Sequence, residues 1–308
     1  MQWTQRLRMR QLYLLVALYE TRNMSHTAAQ MGVTQPGLSK WLSELEEDLN
    51  VKLFKRNSRG LTPTEFCTAL VVHARAVIGE LDRTQATIQL MSIGASGNLV
   101  VGTTPTVATG LLPRAAGYFR KRFPDAYLNI IENRLDELLP QLQEGRVDLV
   151  ITRTDQARLD AGVRCDILHP EQIRVVVGPQ HPLAKKRKVD WPDVLRYPWI
   201  IPPQVSPLRR ELEHELALAG QPAPRYRVET GSTLVIVTML QGSELVAPMS
   251  ARLMQYFQGL KQLVPLPLPY LREGSVGVIR RREATDSPML KAFMDGLRWA
   301  ADNANAAI

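Results

Sequence analysis

Residues 25–49 read Ser25-His26-Thr27-Ala28-Ala29-Gln30-Met31-Gly32-Val33-Thr34-Gln35-Pro36-Gly37-Leu38-Ser39-Lys40-Trp41-Leu42-Ser43-Glu44-Leu45-Glu46-Glu47-Asp48-Leu49. Their spacing predicts two helices joined by a tight turn. Ser25 is a good N-cap for the first, and Gly32 stops it because glycine enters the left-handed region cheaply. The second begins near Thr34 and tolerates Pro36 in its first turn. Leu38, Leu42, Leu45 and Leu49 form its apolar stripe, at spacings of three and four. A helix before this pair is marked by Met9, Leu12, Val16 and Tyr19. The outline is a helix-turn-helix.

Opposite the leucine stripe lie Gln35, Ser39 and Ser43, at i, i+4 and i+8, with Thr34, Pro36 and Lys40 beside them. These groups suit DNA: Gln pairs with adenine at two points, an apolar edge meets a thymine methyl, and Lys reaches phosphate or guanine. A lone polar helix face is more simply a solvated surface. Here it is followed by Lys52 to Arg56 and Gly60 to Thr62, which read as a hairpin or wing carrying Lys55, Arg56 and Arg59. Residues 1–60 hold nine basic and five acidic residues, half of the net charge of +8 carried by the 308-residue chain. A basic head on a nearly balanced body points to a polyanion partner.

Thr62-Pro63-Thr64-Glu65 combines a capping box with a proline suited to the first helical position. Phe66, Leu70, Ala74, Val77, Leu81, Thr84, Ile88 and Met91 then repeat at threes and fours, the seam of a long helix that pairs with a second copy. Gly94 to Gly97 form a linker. Beyond it strands and helices alternate, which predicts parallel sheets covered by helices. One helix is expected near Val107 to Phe123.

Several function classes are disfavoured. With two cysteines, Cys67 and Cys165, there is no disulfide framework, and the five histidines are dispersed without metal-ligand spacing. Basic residues precede the apolar run Leu12 to Tyr19, but no cleavage pattern follows, so no export signal is read. No stretch approaches the roughly 18 apolar residues of a membrane span. None of the nucleotide-binding, nucleophile-elbow or zinc-protease motifs occurs, so no enzyme is expected. Lys185-Lys186-Arg187-Lys188 reads as a solvated basic loop.

Ala28-Ala29, Val33 to Lys40, Leu45 to Leu49, Leu53 to Arg56 and Leu61 to Glu65 together resemble the winged helix-turn-helix of LysR-type transcriptional regulators. Looser similarity continues through Leu111-Leu112-Pro113, Phe119 to Pro124, Gly145 to Leu149 and His181-Pro182-Leu183. Gly37, Trp41 and Phe66-Cys67 depart from the usual pattern.

The resemblance implies an α+β multidomain protein: an N-terminal winged helix-turn-helix (1–63), a long linker and dimerisation helix (64–93), and a C-terminal two-lobed α/β effector domain like periplasmic binding proteins (94–301). Lobe one would hold 97–164 and 268–301, lobe two 165–267, with 302–308 as a tail. Pro265 to Pro269 is expected to carry the second crossover between lobes. The cleft would take a small-molecule effector, an organic anion by its hydroxyl-rich character, and no cofactor. Thr104 and Thr106 lead the effector-binding candidates, because hydroxyls and free N–H groups at a helix start suit an anion; plain N-capping uses the same atoms. Arg153, Gln204, Ser206, Ser232 and Thr233 complete the set. Implied partners are double-stranded DNA carrying an imperfect inverted repeat, further copies of the chain as a dimer and tetramer, and RNA polymerase, with no membrane and a cytoplasmic location. Either activation or repression is compatible with this outline.

Overall fold

The computed structural model describes residues 7–303 except 58–59, 93, 109, 155–161, 205, 270 and 283–286. By packing, the chain divides into residues 1–93 with 140–147, and 94–139 with 148–308. Among the described residues no helix is long and apolar enough to cross a membrane.

The first unit contains α1 (Met9–Thr21), α2 (Met24–Gln30), α3 (Gln35–Leu49), the hairpin β1 (Phe54–Asn57) and β2 (Gly60–Pro63), and α4 (Glu65–Ser92). Leu15, Leu18, Leu38, Leu42, Leu45 and Leu53 meet in its core with Cys67, Val71 and Ala74 of α4. The buried face of α1 is centred on Leu15 and Leu18, while Met9, expected in its stripe, is exposed. Asn23, rather than Ser25, caps α2, accepting the His26 N–H at 3.0 Å. Pro63 ends β2 instead of opening α4. Thr64 takes the capping role expected of Thr62, its hydroxyl accepting the Cys67 N–H at 3.2 Å and donating to the Lys52 carbonyl at 2.7 Å.

In α4 the apolar residues divide between two faces. Cys67, Val71 and Ala74 are buried within the unit, whereas Phe66, Val77, Leu81, Ile88 and Met91 are exposed. Ala74 of the expected seam therefore packs on its own chain.

The second unit runs β3 (Asn98–Thr103), α5 (Pro105–Ala108), α6 (Leu111–Arg122), β4 (Tyr127–Glu132), α7 (Leu135–Gln143), β5 (Leu149–Arg153), β6 (Val163–Val177), α8 (Trp191–Leu195), β7 (Pro198–Ile201), α9 (Pro207–Leu218), β8 (Arg225–Glu229), α10 (Thr233–Gln241), β9 (Val246–Ser250), α11 (Ala251–Gly259), β10 (Val264–Pro265), β11 (Leu271–Arg281) and α12 (Pro288–Asp302); only the second half of α7 groups with the first unit. The helix expected over Val107 to Phe123 is two helices. Gly110, at φ +103°, breaks it in a conformation that a Cβ would strain.

One mixed sheet orders the strands β4-β3-β5-β11-β6-β9-β7-β8, with β10 pairing β6. The pairs β3–β4, β3–β5, β7–β8 and β7–β9 are parallel as expected. The sheet is not parallel throughout, because β6 and β11 cross it antiparallel to their neighbours and to each other. These two strands carry the chain between the two halves of the sheet. Pro265 to Pro269 does not, since proline cannot donate to a ladder and Val264 and Pro265 pair only with Val177 and Val176 of β6. On one half Phe119, Phe293, Leu149 and Ile151 are fully buried; on the other, Trp199, Leu212 and Val246 are. Each such side chain contributes about 1.5–3 kcal/mol by leaving water.

Candidate functional site

In the first unit α3 presents the polar face read from the sequence. The Thr34 hydroxyl accepts the Gly37 N–H at 3.3 Å, capping the helix. A Cβ on residue 37 would lie 2.9 Å from that oxygen, so the glycine that weakens helix propensity leaves room for the cap. With Leu38, Leu42 and Leu45 buried, the 3.6-residue period turns Thr34, Gln35, Pro36, Lys40 and Ser43 outward, and they are exposed. Trp41 is half-buried against the leucine core. Ser39 is half-buried too, and its hydroxyl accepts from the Arg56 guanidinium at 3.1 Å. That bond joins helix to wing. Lys55 and Arg56 are exposed on β1, and Arg59 lies outside the described residues.

Sequence reading missed Arg10 and Glu46 here. Arg10 donates to the carbonyls of Met31 and Gly32, both at 3.4 Å, steadying the turn. Glu46 sits on the buried side of α3 and accepts from the wing backbone. An acid within a leucine stripe is the signal that could have exposed it.

The second unit holds a cleft of about 340 Å3. Strands β3, β5, β7, β8 and β9 all end at it, contributing Thr104, Arg153, Pro202, Thr230 and Ser250 respectively at or just beyond their last residues. The first turns of α7, α9, α10 and α11 also line it. Ligands of open α/β sheets gather outside the carboxyl ends of strands, and helix N-termini bring partial positive charge. Leu135, Leu139, Leu208, Ile236, Met249 and Leu253 make much of the remaining wall apolar.

Of the candidate effector residues, Thr104, Arg153, Ser206 and Thr233 are brought together in this lining. Thr104 is 9% exposed and donates its hydroxyl hydrogen to that of Thr152 at 3.2 Å. Arg153 is 2% exposed. Ser206 precedes α9 without a side-chain capping bond. Two candidates fall elsewhere. Gln204 is exposed in a turn outside the lining, because Pro202 and Pro203 fill the strand exit. Ser232 also lies outside it; its hydroxyl caps α10 by accepting the Val235 N–H at 3.4 Å. Thr106 falls in α5, and its side chain lies outside the described residues.

Among the described lining residues the charges are Arg134, Asp136, Arg153 and Arg210. Arg134 and Asp136 pair at 2.7 Å, and this hydrogen bond holds the Asp136 carboxyl below its usual range. Arg210 is exposed. Thr152, Thr230 and Ser250 were missed as lining residues, although the last residues of parallel strands are where such groups belong.

Two family models match the chain: a bacterial regulatory helix-turn-helix protein model of the lysR family over residues 9–68, and a LysR substrate binding domain model over 92–301. The chain is 30% identical over 291 residues to the HTH-type transcriptional regulator GalR of Pseudomonas putida, covering 94% of this chain and 73% of that one. It is 29% identical over 301 residues to the HTH-type transcriptional regulator GbpR of Azospirillum brasilense, covering 96% and 87%. The fold is similar to that of full-length CbnR solved with its target DNA, with a TM-score of 0.53 and 20% identity over 96% of this chain and 100% of that one.

Proposed function

The chain belongs to the LysR family of helix-turn-helix transcriptional regulators, and from that premise we propose that it reads an imperfect inverted repeat in double-stranded DNA and adjusts transcription to an organic anion held in the cleft. The observation that carries this reading is the presence, in one chain, of a polar helix face bonded to a basic wing and of a cleft at which five strands end. Gln35 and Pro36 contact bases, Lys40, Lys55 and Arg56 contact phosphate, and Thr104, Arg153, Ser206 and Thr233 contact the effector.

Pairing through the exposed apolar face of α4 makes a dimer, and two dimers make a tetramer in the cytoplasm. Two-fold pairing suits a repeat of inverted half-sites. Effector binding shifts the population between two arrangements for which it has unequal affinity, changing how the protein presents itself to RNA polymerase as activator or repressor. The matched relatives are regulators, and no enzymatic role is proposed.

The test is gel retardation of the DNA upstream of its own gene, repeated with Gln35→Ala and Thr104→Val. The first variant should lose operator binding. The second should retain it while losing effector response in a transcription reporter. Retention of binding by Gln35→Ala, or loss of folding by Thr104→Val, would contradict the respective assignment.

A further inference from the structure

Arg153 closes β5 and stands opposite Val276 of β11, which in turn stands opposite His169 of β6. Along β6 the inward positions His169, Glu171 and Ile173 alternate with more exposed ones. Glu171 is therefore one inward step from the rung that carries Arg153, and the residue opposite it, Gly274, has no side chain to separate them. Glu171 is 4% exposed. Its carboxylate accepts the Arg252 N–H in the first turn of α11 at 3.4 Å.

The charges around it are unequal. Burial pushes the Glu171 carboxyl up, opposed by Arg252, Arg153 and the first amides of α11. Arg252 in turn feels Arg114, and His169 feels Arg252. Three guanidiniums and an imidazole thus face one carboxylate, and the member that lines the cleft is Arg153. A buried cluster with excess positive charge is completed by an anion entering from the cleft.

We propose that Glu171 is the internal competitor of the effector: it holds Arg153 from below the cleft floor, and an effector with a single oxyanion and a compact apolar body takes Arg153 from it. This rests on the cleft being the effector site. The single charge follows from the lining, where Arg134 is paired to Asp136 and Arg210 is exposed. The compact body follows from a volume of about 340 Å3, near the lower end of the roughly 300–1,000 Å3 of ligand pockets, and from the leucine-rich walls. Because β5 lies on one half of the sheet and α11 follows β9 on the other, the Arg153–Glu171 attraction links the two halves. An effector that neutralises Arg153 weakens that link, so its binding energy acts on the crossing strands.

The test is isothermal titration calorimetry of the full chain with benzoate, phenylacetate and hexanoate, and with their three primary amides. At least one acid should bind and its amide should not. Glu171→Gln should bind that acid about tenfold more tightly, within the range usual for coupled sites, with Glu171→Asp intermediate and Arg153→Gln without binding. Glu171→Asp keeps the test open should Glu171→Gln fail to fold. Equal or weaker acid binding by folded Glu171→Gln or Glu171→Asp, or no binding of any acid by the wild type, overturns the proposal. Amide binding that matches acid binding and is lost in Thr104→Val overturns it while leaving the cleft reading intact. Acid binding indifferent to both Arg153→Gln and Thr104→Val overturns both.

Discussion

The Glu46 carboxylate accepts the backbone N–H of Leu53 at 2.8 Å, and the same oxygen accepts that of Phe54 at 3.2 Å. One side chain of the recognition helix therefore sets the angle at which the wing leaves it. Its second oxygen meets Lys52 at 2.7 Å, a pair whose cation is largely exposed and which contributes at most about 1 kcal/mol.

Glu46→Ala and Glu46→Gln should differ sharply. Alanine orphans two buried amides, at about 1–3 kcal/mol each, whereas the glutamine carbonyl can still accept both. Urea denaturation should place the alanine variant well below wild type and the glutamine variant close to it. Operator affinity should follow the same order. Equal losses would mean that the charge, and not the two backbone bonds, is what matters.

Gln35 and Lys55 should separate base reading from charge. Gln35→Ala should cost about 1–3 kcal/mol at a cognate site and relax preference at one base pair. Lys55→Ala should lower affinity for all sequences and reduce the salt slope by about one. Arg56→Ala should do more than Lys55→Ala, because it also frees Ser39. Binding isotherms at several salt concentrations, on cognate and scrambled DNA, distinguish these effects. A sequence-dependent loss in Lys55→Ala would contradict its phosphate role.

Cys67 should be inert in the native protein. It is fully buried, and burial, with the Glu46 charge adding to it, pushes its thiol up to about 12. Almost no thiolate then exists at neutral pH. Treatment with a chromogenic disulfide at pH 7.5 should modify Cys67 only after denaturant is added, and fast native labelling would sink the prediction.

His181 should make stability fall in mild acid. Its Nδ1 accepts the Leu183 N–H at 3.0 Å and its Nε2 lies 3.2 Å from the Glu244 carbonyl, so the neutral form fits. Burial lowers its pKa below 6.5, and lowers that of His169 likewise. The unfolded chain then binds more protons, so the stability these groups provide is complete above about 6.5 and is lost as pH falls through their folded values. Urea midpoints should drop between pH 7.5 and 5.5. In His181→Asn, whose carbonyl can accept the same N–H, the drop should be shallower, and an unchanged slope would assign the effect elsewhere.

What was legible in the sequence was what local chemistry decides. Thr233 to Gln241 follows a serine cap and forms α10 as expected, and α3 follows from its leucine period. The break at Gly110 was hidden because Leu111, Leu112 and Phe119 continue an apolar pattern across it. The first half of β6 was missed because Arg164, Asp166, His169 and Glu171 look unlike a central strand, their charges being answered by groups distant in sequence, such as Arg280 on Asp166. The cleft was half legible for the same reason. Thr104 and Ser206 carry a local helix-start signal, whereas Thr152 and Ser250 join the lining only through the sheet order.

The pairing of β6 with β11, from Val163 opposite Arg281 to Ile173 opposite Leu271, makes both crossings one antiparallel ribbon. Sliding one half of the sheet past the other would break its rungs, whereas changing the ribbon's twist would not. The two halves therefore share a torsion bar with a single soft coordinate. Its ladder is already interrupted between Leu271 and Gly274 and between Val276 and Gly277, and those two interruptions are where the bar yields first. A ligand of modest size needs only to turn it.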